Sequence, residues 1–226
     1  MKLSARKIKK EFLRIRENTN VFCAVKETDF SLQDGCLTTI YGKSGSGKST
    51  FLNMLAGILL PTSGEVIWEA QEIYRLSDSE LSRLRNRMAG FIPQGQTPIA
   101  SLTVEENILL PYTLYGEKLE NQKLLDEWME RLEIADLRHV FPNQLSGGEL
   151  KRLSVARALI KDPQVIFADE PTADLDEENT HIVLEILKEQ ADLGKSVLIV
   201  THEKEAEKYS DAIYQMKAGE LCPIQS

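Results

Sequence analysis

Gly42-Lys43-Ser44-Gly45-Ser46-Gly47-Lys48-Ser49 is the stretch whose residue types and spacing speak most directly of chemistry. It fits the pattern G-x-x-x-x-G-K-[ST] in full, after a β-prone run at Leu37 to Tyr41 and at the opening of a helical pattern. Glycines let successive backbone N–H groups turn inward on one anion, at a helix N-terminus whose dipole favours negative charge. Lys48 brings a point charge to the β- and γ-phosphates, and the Ser49 hydroxyl is placed to ligate Mg²⁺. Thr50 adds a second hydroxyl near the α-phosphate. The alternative is a glycine turn that merely joins two elements, and the strand-then-helix setting weighs against it. These residues predict a site for a nucleoside triphosphate.

Val165-Ile166-Phe167-Ala168 is an apolar run that ends in two acids, Asp169 and Glu170. A strand sends consecutive side chains to opposite faces, so the two acids should differ in role. Asp169 suits the Mg²⁺ shell, and Glu170 is then free to polarise an attacking water as general base. Acids are common where a strand meets solvent. The pair gains weight only beside the phosphate loop.

The elements that must position these groups alternate along the chain. A helical pattern runs from Lys48 to about Leu60 and stops at Pro61; Glu65 to Trp68 reads as a strand, Ser77 to Arg87 as a capped polar helix and Ala89 to Pro93 as a strand. Helices dominate from about residue 95 to 161. Thr103 and Glu106 form a capping-box start, Leu124, Leu125, Trp128, Met129 and Leu132 recur at helical spacing as a core stripe, and a third helix spans about Ser146 to Ile160. Gln164 to Ala168 and Ser196 to Val200 read as buried strands, Glu177 to Ala191 as a helix, Glu203 to Tyr209 as a helix and Ala212 to Met216 as a strand. Short apolar strands alternating with helices predict an α/β fold with a parallel sheet, into which the helical block is inserted.

Composition narrows the function classes. The 226 residues carry 35 Asp and Glu against 27 Lys and Arg, a net charge of −8, which disfavours a domain that grips nucleic acid through bulk positive charge. Residues 1 to 16 run the other way, with seven basic residues against Glu11. That run is either a solvated strand face or a contact with an acidic membrane surface or partner. Cys23, Cys36 and Cys222 are too few and scattered for a disulfide framework or zinc cage. The longest nearly apolar run, Phe51 to Leu60, falls short of the roughly 20 residues of a membrane span, and no secretory leader opens the chain. A soluble intracellular protein is the expectation.

Leu145-Ser146-Gly147-Gly148-Glu149, about 20 residues before the acid pair, resembles the signature Leu-Ser-Gly-Gly-Gln of ATP-binding cassette (ABC) ATPases. Gln94 in Phe91-Ile92-Pro93-Gln94 is similar to that family's Q-loop glutamine, Ala173-Asp174-Leu175-Asp176 to its D-loop, and His202 after Val200-Thr201 to its switch histidine. Six motifs in order cover nearly the whole chain. The resemblance implies one ABC ATPase domain over residues 1–226: a RecA-like parallel-sheet core with a small antiparallel β subdomain (1–94 and 162–226) and an inserted helical subdomain (95–161). It implies Mg-ATP as ligand, with Ser49, Gln94 and Asp169 on the metal. Glu170, His202, Lys48 and Gln94 are the catalytic set it implies, with His202 stabilising the γ-phosphate. Gly42 to Thr50 hold the nucleotide from their own subunit, and Ser146, Gly147, Gly148, Glu149 and Asp176 reach it from a second copy packed head to tail. An aromatic stacks on adenine; Phe12 is the first candidate and Phe22 the fallback. His139 and His181 match no motif and read as ordinary surface or helix residues.

Three departures are visible: Glu149 stands where glutamine is usual, Asp174 replaces the Asn common in the nearest branch, and the spacer from Phe12, which looks like the usual Tyr, to the phosphate loop is a few residues longer than usual. Ala168 to Asp176 and Leu102 to Gly116 resemble the branch of macrolide exporters, lipoprotein-release systems and antimicrobial-peptide transporters. That implies an energy-coupling subunit at the cytoplasmic membrane face, working with a separate transmembrane permease. A non-transport ABC ATPase is the alternative, though Lys48 and Ser146 are only 98 positions apart, with no room for a long coiled-coil arm. A small-molecule kinase would have no use for a serine-glycine motif acting in trans.

Overall fold

The computed structural model describes residues 2–13, 21–95, 97–173 and 175–224. Arg14 and Arg16 of the basic run, and Asp174, lie outside the described residues. Strands β1 (Leu3–Leu13), β2 (Val21–Leu32), β4 (Ser63–Trp68) and β5 (Gln71–Glu72) form an antiparallel sheet in the order β2-β1-β4-β5. Strands β3 (Cys36–Tyr41), β6 (Ala89–Ile92), β7 (Val165–Asp169), β8 (Ser196–Thr201), β9 (Ala212–Lys217) and β10 (Glu220–Pro223) form a second sheet, ordered β10-β9-β3-β8-β7-β6. All its pairings are parallel except β9 with β10.

Alternation along the central strands assigns each residue to one of two cores. Val165 and Phe167 with Leu198 and Val200 point to one face, and Ile166 and Ala168 with Val197 and Ile199 to the other. Both faces are covered, so these strands read as continuous apolar runs. The first face packs on α1 (Lys48–Leu55) and the antiparallel sheet. Trp68 of β4 fastens that layer: its ring stacks on Phe167, centroids 6.0 Å apart, and its indole N–H donates to the Leu55 carbonyl at 3.0 Å. The second face packs on α5 (Gly147–Leu159) and α6 (Glu177–Asp192), over which lie α3 (Val104–Thr113) and α4 (Gln122–Arg131). The apolar stripe of α4 is core, with Leu125, Trp128, Met129 and Leu132 buried and Leu124 partly so. A capped polar helix, α2 (Asp78–Met88), precedes β6.

Several elements differ from the sequence expectation. Helix α1 stops at Leu55, five residues before the expected end, because Gly57 takes a left-handed φ of 70° and Ile58 N–H bonds back to the Asn53 carbonyl. The expected helix near 203–209 is a 3₁₀ turn over Glu205–Tyr209. Strand β5, of two residues, is too short for a pattern to show, and β10 ends in Pro223 with no apolar alternation to mark it.

Candidate nucleotide-binding site

The loop between β3 and α1 is shaped by its glycines. Gly47 is the N-cap of α1 at φ 108°, and a Cβ there would lie 2.3 Å from the Ala24 carbonyl oxygen. A Cβ on Gly42 would meet the Met216 carbonyl at 2.4 Å. A bare backbone is therefore a steric requirement at both positions. Phe12, Phe22, Ala24, Ser44, Gly45, Gly47, Lys48, Ser49, Thr50, Gln94 and Glu170 line one cavity of ≈ 300 Å³ beside the loop. Gly42, Lys43 and Ser46 face a neighbouring cavity against residues 215–218, with Ser44 and Gly45 shared. The Ser46 hydroxyl is buried without a hydrogen-bond partner, a donor suited to an anion held by the loop. Both aromatic candidates reach the cavity: Phe12 and Phe22 are register partners on β1 and β2.

The two acids separate as alternation requires. Asp169 continues the Val165–Phe167 face towards α1, where its Oδ1 accepts from the Ser49 hydroxyl at 2.9 Å. Burial, with the neighbouring Glu170 charge adding to it, pushes the Asp169 carboxyl up despite that bond. A carboxylate and a hydroxyl at hydrogen-bond distance are the hard oxygen pair that Mg²⁺ takes from protein, with phosphate and water completing its shell. Among the described residues no cluster of three or more His, Cys, Asp or Glu could hold a metal alone. The donors present fit a cation shared with a phosphate ligand.

Glu170 turns out of the strand at φ 47°, in the left-handed region. Its Oε2 accepts from the Thr201 hydroxyl at 2.8 Å and the His202 N–H at 3.2 Å, and lies 2.9 Å from His202 Nδ1. Its Oε1 lies 3.6 Å from Lys48 Nζ, which also donates to the Gly42 carbonyl at 2.7 Å. Burial pushes the Glu170 carboxyl up, but the His202 and Thr201 donors and the Lys48 charge outweigh it and hold the group below its ordinary range. The carboxylate is thus ionised and aimed at neutral pH. The His202 ring is itself mostly exposed, at 60%.

Ser146, Gly147, Gly148, Glu149 and Asp176 do not line this cavity. Ser146 caps α5 in a capping box: its N–H and hydroxyl donate to Glu149 Oε2 at 2.7 and 2.8 Å, and its Oγ accepts from the Glu149 N–H at 3.3 Å. Those bonds hold the Glu149 carboxyl below its ordinary range. Asp176 caps α6 by accepting from the Asn179 backbone and side-chain nitrogens, and a Cβ on Gly148 would make only ordinary contact with Asn179 and Leu175. His139 is exposed, and His181 Nδ1 bonds the Tyr209 hydroxyl at 2.5 Å, away from the loop.

Sequence reading missed three contributors. Thr201, passed over beside His202, is a direct donor to Glu170. Thr172 bonds Glu203, whose N–H donates to Thr201 Oγ1. Lys151, buried, donates from Nζ to the Glu170 carbonyl at 3.1 Å. Adjacency to His202 could have pointed to Thr201, whereas a lysine inside a helix normally signals solvent.

Comparison with known proteins adds an independent line. Residues 25–173 match the family described as ABC transporter. The chain is 38% identical over 198 residues to the lipoprotein-releasing system ATP-binding protein LolD of Aquifex aeolicus, covering 87% of this chain and 88% of that one. It is 36% identical over 196 residues to the macrolide export ATP-binding/permease protein MacB of Chlorobaculum tepidum, covering 87% of this chain but 30% of that longer protein. Among solved structures, the ATP-binding cassette MJ0796 superposes with a TM-score of 0.90 at 30% identity over 99% of each chain, in a dimeric post-hydrolysis state bound to ADP and Pi.

Proposed function

The chain belongs to the ABC transporter family as an ATP-hydrolysing cassette, and from that membership we propose that it binds Mg-ATP in a head-to-tail dimer and powers a separate transmembrane permease. In this reading the loop from Gly42 to Thr50 holds the phosphates, with Lys48 leaving the Gly42 carbonyl for the β- and γ-oxygens. Ser49 and Asp169, joined by Gln94, would hold Mg²⁺, which supplies charge neutralisation on the phosphate oxygens. Glu170 polarises the attacking water, and His202 both orients that carboxylate and stabilises the γ-phosphate. Ser146, Gly147, Gly148, Glu149 and Asp176 come to the nucleotide of the other copy, and Phe12 or Phe22 lies against adenine.

The observation that carries the reading is Glu170: a carboxyl held by Thr201 and His202, facing Lys48 at the wall of the loop cavity. Glu170→Gln keeps the shape and removes the base. ATP binding should persist, a dimer should accumulate with ATP, and phosphate release should fall about 10²–10⁴-fold. Wild-type turnover in that variant removes Glu170 from this role.

Similarity to the lipoprotein-releasing LolD and the macrolide-exporting MacB favours a peptide, lipoprotein or drug-like substrate. Among the described residues no helix is long and apolar enough to cross a membrane, so the reading places the chain peripherally, at the cytoplasmic face. Residues 95–161 serve in it as the helical unit that passes motion between permease and nucleotide. Co-purification with a membrane protein rather than with nucleic acid tests the partner and tells this reading from a non-transport ABC ATPase.

A further inference from the structure

Lys151 is a buried lysine on α5, 7% exposed, whose ammonium donates to a main-chain carbonyl at 3.1 Å. Desolvating an ammonium is expensive unless its hydrogen bonds repay it, so such a group persists where its partner matters. One partner here is the carbonyl of Glu170, and Glu170 has a left-handed φ of 47° without being glycine. Backbone in that region costs of order 1 kcal/mol and is held only when its surroundings over-determine it. Three contacts do so. The Glu170 N–H donates to the Val200 carbonyl at 2.9 Å, and its carbonyl accepts from the Ala173 N–H at 3.3 Å and from Lys151. The unusual φ is also what swings the carboxylate from the strand axis towards Thr201 and His202.

We propose that Lys151 is a positioning residue for hydrolysis, its buried ammonium fixing the Glu170 peptide so that the carboxylate stays aimed at the attacking water. It lies five residues after Ser146 in the helix that Ser146 caps. The serine offered to the other copy's nucleotide and the carboxylate that serves this copy's own are therefore joined through one helix and one hydrogen bond. The inference rests on the assignment of Glu170 above.

The test is steady-state phosphate release and equilibrium ATP binding for the full chain, carrying K151M, K151R, K151L or E170Q. K151M keeps the length and burial of the side chain and removes the donor. Its kcat should fall about tenfold or more while ATP affinity stays within threefold, and K151R, which keeps a donor, should recover most of the rate. A helix merely loosened in packing would move affinity and rate together and would not distinguish Arg from Met. K151M within twofold of wild type, an affinity loss equal to the rate loss, or no recovery by K151R overturns the proposal. Should K151M not fold, K151L, which likewise carries no donor, is read the same way: rate lost with affinity kept supports it, and any other result overturns it. E170Q separates the two claims. If E170Q is inactive while K151M resembles wild type, only the Lys151 proposal falls; if E170Q turns over normally, the assignment of Glu170 falls first.

Discussion

Glu170 Oε2 draws its donors from two consecutive residues, Thr201 and His202, at the end of β8. Of these, the Thr201 hydroxyl can be removed without touching backbone. A hydrogen bond to a charged group contributes about 1.5–3 kcal/mol. Thr201→Val, nearly isosteric, should thus slow phosphate release about 10-fold or more, with ATP affinity little changed; a rate equal to wild type would show that Thr201 does not aim the carboxylate. Gly47 makes a sharper demand. At φ 108°, with a Cβ only 2.3 Å from the Ala24 carbonyl, Gly47→Ala must move backbone. It should destabilise the fold by about 2 kcal/mol or more in urea unfolding and reduce ATP binding at least tenfold. Normal binding by that variant would mean the loop adapts. At this scale the loop residues, Asp169 and Glu170 were legible because local spacing specifies them. Thr201 and Lys151 were not, since their partner is 31 and 19 residues away in sequence and only the sheet brings them together.

Helix α5 shows how one element can serve its own stability and a second purpose. The reciprocal Ser146–Glu149 box satisfies N-terminal donors that would otherwise be orphaned. Glu149→Ala should cost about 1 kcal/mol in unfolding free energy, and Glu149→Gln, still able to accept, much less. An Ala variant as stable as wild type would show the box contributes nothing. The sign with pH follows from the lowered Glu149 carboxyl. Its contribution is complete above the ordinary carboxylate value of 4.5 and is lost as pH falls through the lower folded value. Glu149→Gln should therefore flatten part of the acid-side loss of stability, and an unchanged acid profile would contradict it. This also accounts for glutamate where the signature usually has glutamine: either side chain can close the box. Elements of this kind, with a cap and a long periodic face, were legible. Boundaries set by one glycine were not: Pro61 drew the expected end of α1 beyond Gly57, where the chain had already left the helix.

At the scale of the whole molecule, the proposed site falls into two halves. The loop cavity includes Lys48, Ser49 and Glu170 but none of Ser146, Gly147, Gly148 or Asp176, although all were legible as one family's motifs. In the proposed reading a second copy brings the halves together on one nucleotide, and a head-to-tail pairing does so twice under two-fold symmetry. That arrangement makes a prediction no single chain could satisfy. Ser146→Arg fills the serine half with a bulky cation, and Glu170→Gln disables the carboxylate half, so each variant alone should be inactive. Mixed in equal amounts, half of the dimers would pair one of each. One site in such a dimer carries both substitutions and the other carries neither. About a quarter of all sites are then intact, and phosphate release should rise clearly above that of either variant alone, towards about a quarter of the wild-type rate when sites act independently. Mixed dimers trapped by crosslinking that remain as inactive as their parents would show that Ser146 does not complete its partner's site. The same experiment excludes a kinase-like monomer, in which Ser146→Arg would leave turnover intact from the outset.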